Sequence, residues 1–261
     1  MAKVRLLIGY HGARYHGWQQ QRELPTIEGE VTDAVEKMSG ERIRVWGASR
    51  TDAGVHAHGQ VACFDERIVR SAETWHAALN RWLPEDIQIY AAQKVPDSFH
   101  PRHNARGKMY SYRIWTGPIR DYRSEAFAWQ LVRPLSINAM REAAQALIGE
   151  HDFSAFRAVN CDAASPVRRI RRIDIRRESP HIVRVTVEGS AFLKYMVRNV
   201  VGSLVWVGAG RRPVEWLGEA LASRDRGQAG QTAPSHALTL EAIHYPHDPW
   251  EGYAGEIFRS I

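Results

Sequence analysis

Cysteine is scarce in this chain of 261 residues: Cys63 and Cys161 are the only two, and no CxxC pair occurs. That removes a disulfide framework and a cysteine zinc site as organising principles. No apolar run reaches the roughly 18 residues that a membrane-spanning helix needs. The nearest, VVGSLVWVGAG from Val200, is short and broken by glycine. The opening MAKVRLLIGYHG has one lysine, one arginine and no long apolar core. It reads as a first strand and not as a signal peptide. P-loop, GxGxxG, GxSxG and HExxH patterns are all absent, so nucleotide hydrolysis, dinucleotide redox chemistry and zinc peptidase chemistry have no support. The expectation is a cytoplasmic protein in a reducing compartment with no membrane partner.

Lysine is also sparse, and arginine supplies most of the positive charge. Thirty-five Lys+Arg against 29 Asp+Glu give a net charge of +6 and a pI near 9.5. The planar guanidinium suits phosphate, so the balance points towards a nucleic-acid partner. A hydrophobic share of 44% is ordinary for a chain with a full core, and the length allows one large domain or two smaller ones.

Periodicity gives the order β-α-β-β-α-β in the first half. VRLLIGY (4–10) is strand-like. TIEGEVTDAVEKMSG has Ile27, Val31, Val35 and Met38 at helical spacing between Thr26 and Gly40. IRVWGAS and GQVACFD are short strands, SAETWHAALNRWLP is a helix capped at Ser71, and DIQIYAAQKV is a strand. The second half repeats the order. KMYSYRIWT (108–116) alternates with Tyr110, Tyr112 and Ile114 on one face. A helix starts near Ser136, VRRIRRIDIRRE and HIVRVTVEG form a hairpin turning at Ser179-Pro180, AFLKYMVRNVVGSLVWVGAG is a helix, and ALTLEAIHY closes the half. The predicted class is α+β, with two ferredoxin-like halves, 1–105 and 106–261, building an extended antiparallel sheet with flanking helices.

Between the middle strands of the first half lies GASRTDAGVHAHGQV (47–61). Asp and Gly favour turns, so Asp52 has a bland reading as a turn former. The stretch is longer than a hairpin needs, however, and Arg50 stands beside the carboxylate. An arginine there can keep the acid ionised and meet a phosphate, and an ionised carboxylate can act as a nucleophile. His56 and His58 form an HxH pair, but the further ligands that zinc wants are missing. GYHGARYHGWQQQ (9–21) offers aromatics and amides that suit either base stacking or packing on the core. Arg102, Arg106 and Lys108 form a basic strip next to Tyr110. VRRIRRIDIRR adds six arginines, among them Arg169 and Arg171, and alternation turns several of them to one face. Lys194 and Arg198 stand i, i+4 on a mostly apolar helix, where a cation wants an anionic partner such as Asp52. The residues alone leave open a non-catalytic RNA-binding protein and a metal-dependent phosphoesterase built on His56, His58 and Asp52.

Several blocks, in order, resemble the tRNA pseudouridine synthases of the TruA type, the tRNA pseudouridine 38–40 synthases. RTDAGVH within the loop resembles the family's catalytic motif, YHGWQQQ its N-terminal element, and FHPRHNARGKMYSYRI, HDFSAF (151–156), AFLKYMVRNVVGSL and TAPSHALTL its later blocks. The resemblance spans most of the chain. It departs at His11, where the family often has aspartate, and at Ala237, where glycine is common. The resemblance implies an isomerase that converts uridine to pseudouridine at positions 38–40 in the anticodon arm of tRNA. Asp52 falls on its essential aspartate, Arg50 on the loop arginine that displaces the base, Tyr110 on the tyrosine that stacks on it, Arg198 on the arginine that pairs with the aspartate, and Leu238 on an apolar pocket residue. Arg102, Arg106, Lys108, Arg169, Arg171 and Lys194 are expected to meet RNA. The family implies a homodimer with no cofactor and no metal, which fits a reaction that oxidises nothing.

Overall fold

A computed structural model of the protein describes residues 2–246 and 250. It contains two compact units, Met1–Arg106 together with the C-terminal segment from Thr239, and Gly107–Leu238. The expected C-terminal half, 106–261, thus gives its closing segment to the first unit.

The first unit runs β1 (Lys3–Tyr10), α1 (Ile27–Ser39), β2 (Val45–Gly47), β3 (His56–Asp65), α2 (Ala72–Trp82) and β4 (Ile87–Val95). Thr26 caps α1 by accepting from the Gly29 N–H, and Gly40 ends it with φ 78° in the left-handed region. Ser71 caps α2 through the Thr74 N–H at 3.1 Å. β1 pairs antiparallel with β3 on one side and β4 on the other. β2 pairs with the far end of β3, Val45 opposite Phe64 and Gly47 opposite Ala62. Ile8, Ile27, Phe64, Trp75, Leu79 and Ile89 form a fully buried core.

The second unit holds β5 (Gly107–Trp115), β6 (Trp129–Gln130), α3 (Ile137–Ala144), β7 (Gly149–Asp152), β8 (Val167–Ser179), β9 (Ile182–Gly189), α4 (Met196–Gly208) and α5 (Trp216–Ser223). Its sheet runs β5–β9–β8–β7, all antiparallel, and β6 adds a parallel bridge to β5. Tyr112, Ile114, Val183, Val185, Phe153, Phe156, Val200 and Leu204 are all buried. The last strand, β10 (Leu238–His244), pairs parallel with the start of β3 through Thr239–His56 and Leu240–Ala57. The class is α+β, as expected, but these two parallel pairings make the strand pattern mixed.

Two boundaries differ from the sequence reading for physical reasons. The helix expected over 191–210 begins at Met196, because Tyr195 has φ 64° and cannot continue a right-handed turn. Lys194 therefore precedes α4 and is not its i, i+4 partner of Arg198. The helix starting at Ser136 ends at Ala144 in a short 3-10 turn, and Gly149, with φ 111°, starts a strand absent from the reading.

Candidate active site

The loop between β2 and β3 is shorter than its motif. His56–Gln60 already belong to β3, so the free backbone is residues 48–55. Both of its roots are tied. The Gln60 side chain, fully buried, accepts from the Ser49 N–H at 3.1 Å and donates to the Ser49 carbonyl at 2.7 Å. A side-chain amide here replaces the backbone pairing that β2 would have given had it continued. Leaving such buried groups unmet costs about 1–3 kcal/mol each. At the other root, the Val55 N–H closes a turn on the Asp52 carbonyl at 3.1 Å, with Gly54 in the left-handed region at φ 77°.

The aromatic N-terminal stretch holds the loop from the side. Trp18 N–H donates to the Thr51 carbonyl at 3.1 Å, Gly54 N–H to the Tyr15 carbonyl at 3.2 Å, and Tyr10 Oη lies 2.8 Å from Thr51 Oγ1. Gly17 has φ 90°, and a Cβ there would sit 2.5 Å from the Thr51 carbonyl oxygen. No other residue fits that approach without moving the loop. Tyr10, Tyr15 and Trp18 are 5%, 4% and 2% exposed. They are packed and do not offer a stacking surface for bases, which decides between the two readings of this stretch. Asp52 emerges from this clamp half-buried, and Arg50 is exposed beside it.

The histidine pair is structural. His56, 2% exposed, accepts the Gly12 N–H on Nδ1 at 3.1 Å and lies against the His11 ring with centroids 4.6 Å apart. His58 Nδ1 lies 2.9 Å from Glu241 Oε2, joining β3 to β10. Among the described residues, no group of three or more His, Cys, Asp and Glu side chains is placed to hold a metal ion.

In the second unit, Arg198 lies in the first turn of α4. Its Nε donates to the Ala233 carbonyl at 2.7 Å, its own carbonyl accepts the Ala233 N–H at 3.2 Å, and its guanidinium lies 4.7 Å from the Tyr195 ring centre. The adjacent Asn199 is fully buried. It accepts from Thr232 Oγ1 at 2.6 Å and Arg226 Nη2 at 3.1 Å, and donates to the Phe156 carbonyl at 2.8 Å. The segment 229–234, α4 and the HDFSAF block are thus one bonded group. Tyr112 Oη donates to the Pro234 carbonyl at 2.9 Å, and burial pushes its phenol well above the usual range. Tyr110, on the same face of β5, is 6% exposed, with Phe192 edge-on at 5.4 Å. Leu238, 4% exposed, begins β10.

The basic residues divide. Arg102 and Arg106 are exposed in the first unit, and Lys108 is half-exposed in the second. On β8 the six arginines do not alternate simply. A bulge between Ile170 and Arg172 shifts the register, so that Ile170, Ile173 and Ile175 all turn inward while Arg169, Arg172 and Arg176 turn outward. Arg171 falls in the bulge. Arg171 and Arg172 reach Glu188 at 3.8 and 3.7 Å, so part of this charge is already met within the sheet.

Comparison with known proteins now separates the readings. A family profile described as tRNA pseudouridine synthase matches residues 5–104 and 143–246. The tRNA pseudouridine synthase A of Myxococcus xanthus is 45% identical over 249 residues, covering 95% of this chain and 94% of the relative. That of Pseudomonas aeruginosa is 42% identical over 265 residues, covering 100% and 92%. That of Bordetella petrii is 42% identical over 248 residues, covering 94% and 92%. The chain belongs to the tRNA pseudouridine synthase family. It is an isomerase that converts uridine to pseudouridine in tRNA, and neither the non-catalytic nor the phosphoesterase reading survives. As in any such synthase, the bond from ribose C1′ to uracil N1 breaks and a bond from C1′ to C5 forms, so the site must hold the loosened base while it turns. Gln60, Tyr10 and Asn199 were missing from the sequence reading. The signal for Gln60 was a lone amide inside the apolar run of β3.

Proposed function

We propose that this synthase acts on uridines 38–40 in the anticodon arm of tRNA, with Asp52 as its reacting carboxylate. The observation that carries the role of Asp52 is the clamp: buried hydrogen bonds hold the backbone on both sides of one half-buried acid, while its neighbour Arg50 is exposed. Tight backbone support around one side chain is what an attack geometry needs.

In this reading the target nucleotide leaves its stack at a cost of a few kcal/mol. Arg50 displaces it, and Tyr110 stacks on the base and returns about 1–3 kcal/mol. Leu238 lines the uracil pocket, and Arg198 favours the ionised form of Asp52. Asp52 then attacks C1′ or promotes loss of uracil by removing a sugar proton, and the base turns and re-bonds through C5. Arg102, Arg106, Lys108, Lys194, Arg169 and Arg171 meet the RNA backbone; all but the half-exposed Lys108 are exposed. The enzyme works as a cytoplasmic homodimer. Among the described residues no helix is long and apolar enough to cross a membrane.

The positional claim is tested with transcripts carrying uridine at only one of 38, 39 and 40, and with a transcript lacking all three. Pseudouridine at each single site and none in the fourth transcript is the expected result. Modification elsewhere in the fourth transcript overturns it.

A further inference from the structure

We propose that Tyr10 is a positioning residue for the isomerisation, acting through Thr51 to set the angle at which Asp52 is presented. The inference rests on Asp52 being the reacting carboxylate.

Tyr10 ends β1, at the point where the β1–β3 register shifts: Ile8 faces Gln60, but Tyr10 faces Ala57. Such irregularities re-aim the residues beside them. Here the phenol reaches the neighbouring loop. Its ring is 5% exposed and tilts against Trp18 at 6.3 Å between centroids, so the hydroxyl has little freedom. A buried tyrosine hydroxyl needs a partner, and Thr51 Oγ1 supplies one at 2.8 Å. Thr51 is itself 7% exposed and immediately precedes Asp52.

The consequence follows from the chain geometry. Trp18 N–H already fixes the Thr51 carbonyl, at 3.1 Å. The Tyr10 hydroxyl fixes the other end of the same residue, its β-branched side chain. With both anchored, the peptide leading into Asp52 cannot rotate. The Asp52 carbonyl is held in turn by Val55 N–H, at 3.1 Å. Losing the Tyr10 hydroxyl releases one anchor and lets the carboxylate drift without unfolding the loop, because Gln60, Trp18 and Gly54 still hold it.

The experiment uses the full chain and unmodified tRNA labelled with tritium at uracil C5, measuring single-turnover label release, tRNA affinity and melting temperature. The variants are Tyr10→Phe, Thr51→Val, the two together, Thr51→Ser and Asp52→Ala. Tyr10→Phe and Thr51→Val should each slow release about ten-fold with tRNA affinity changed less than about two-fold, the size expected of a small misplacement. The double variant should be no slower than either single one, since both remove the same hydrogen bond. Thr51→Ser, which keeps the hydroxyl, should lose less than Thr51→Val. A Tyr10→Phe rate equal to wild type overturns the proposal, as do independent losses that multiply in the double variant. A merely structural role would lower the melting temperature and the active fraction together, leaving the rate per active molecule unchanged, and that also overturns it. Thr51→Ser against Thr51→Val decides the matter alone if Tyr10→Phe folds poorly. Label release by Asp52→Ala would instead remove the carboxylate reading on which the inference stands.

Discussion

The two units differ in how they join their middle strands. β8 and β9 turn over at Pro180 and His181, the tightest connection the hairpin allows. β2 and β3 are joined by residues 48–55, and β2 is only Val45–Gly47. The first unit has given up strand length to make room for a loop. It replaces the lost ladder with a side-chain amide, Gln60, and with backbone bonds from the segment around Gly17. The second unit keeps long strands of eight and thirteen residues and invests its buried polar groups elsewhere, around Asn199 beneath Arg198. The two units therefore differ most where one departs from regular pairing, and the proposed reacting acid lies on that departure.

The largest test of that contrast is Asp52→Glu. One added methylene displaces the carboxylate on a loop whose backbone cannot yield, and turnover should fall by at least about 100-fold with tRNA affinity and melting temperature kept. Full activity would mean the acid acts by charge alone and the clamp is irrelevant. Gly17→Ala should come next. It forces a side chain into the left-handed region against the Thr51 carbonyl, at about 1–3 kcal/mol, and should lower both rate and melting temperature. Retained rate would show that the loop tolerates a shifted support.

Asn199→Ala probes the second unit. It removes the acceptor that Thr232 Oγ1 and Arg226 Nη2 share and the donor to the Phe156 carbonyl, and about 1–3 kcal/mol of stability should go. Thermal melting reads this, and an unchanged midpoint would deny that segment 229–234 is bonded as one group. The smallest effect expected is a pH dependence at Asp152. Its carboxyl is held below the usual range, first by the Ser154 side chain and then, against the cost of burial, by the Ser154 N–H at 2.9 Å and nearby Arg224. A folded-state value below the unfolded one adds stability above the unfolded value, and that stability is lost as pH falls through the folded one. Asp152→Asn should therefore melt lower than wild type near neutrality, with the gap closing below about pH 4, where the unfolded carboxyl becomes protonated. A gap independent of pH would assign the effect to shape instead of charge.

Much of this was legible in the sequence because local chemistry decides it. Thr26, Ser71 and Ser136 each cap the helix they announced, and Gly40 ends α1. Tyr110, Tyr112 and Ile114 share a buried face because a strand alternates. The RTDAG loop stood out by composition. What could not be read depends on tertiary context. Nothing local predicts the left-handed Tyr195 that shortens α4 and leaves Lys194 outside it. The bulge at Arg171, which sorts the arginines, is visible only against its partner strand. Part of the clamp on the loop is made by residues more than thirty positions away, Tyr10, Tyr15 and Trp18. Their sequence block was recognisable, but their hydrogen bonds were not.

The most direct measurement is label release from C5-tritiated, unmodified tRNA transcript by wild type and Asp52→Ala side by side, with tRNA affinity measured for both. Release by wild type alone, at matched affinity, is the predicted result and makes the clamped acid the centre of the reaction. Release by both proteins would contradict the account and leave the loop without the role assigned to it.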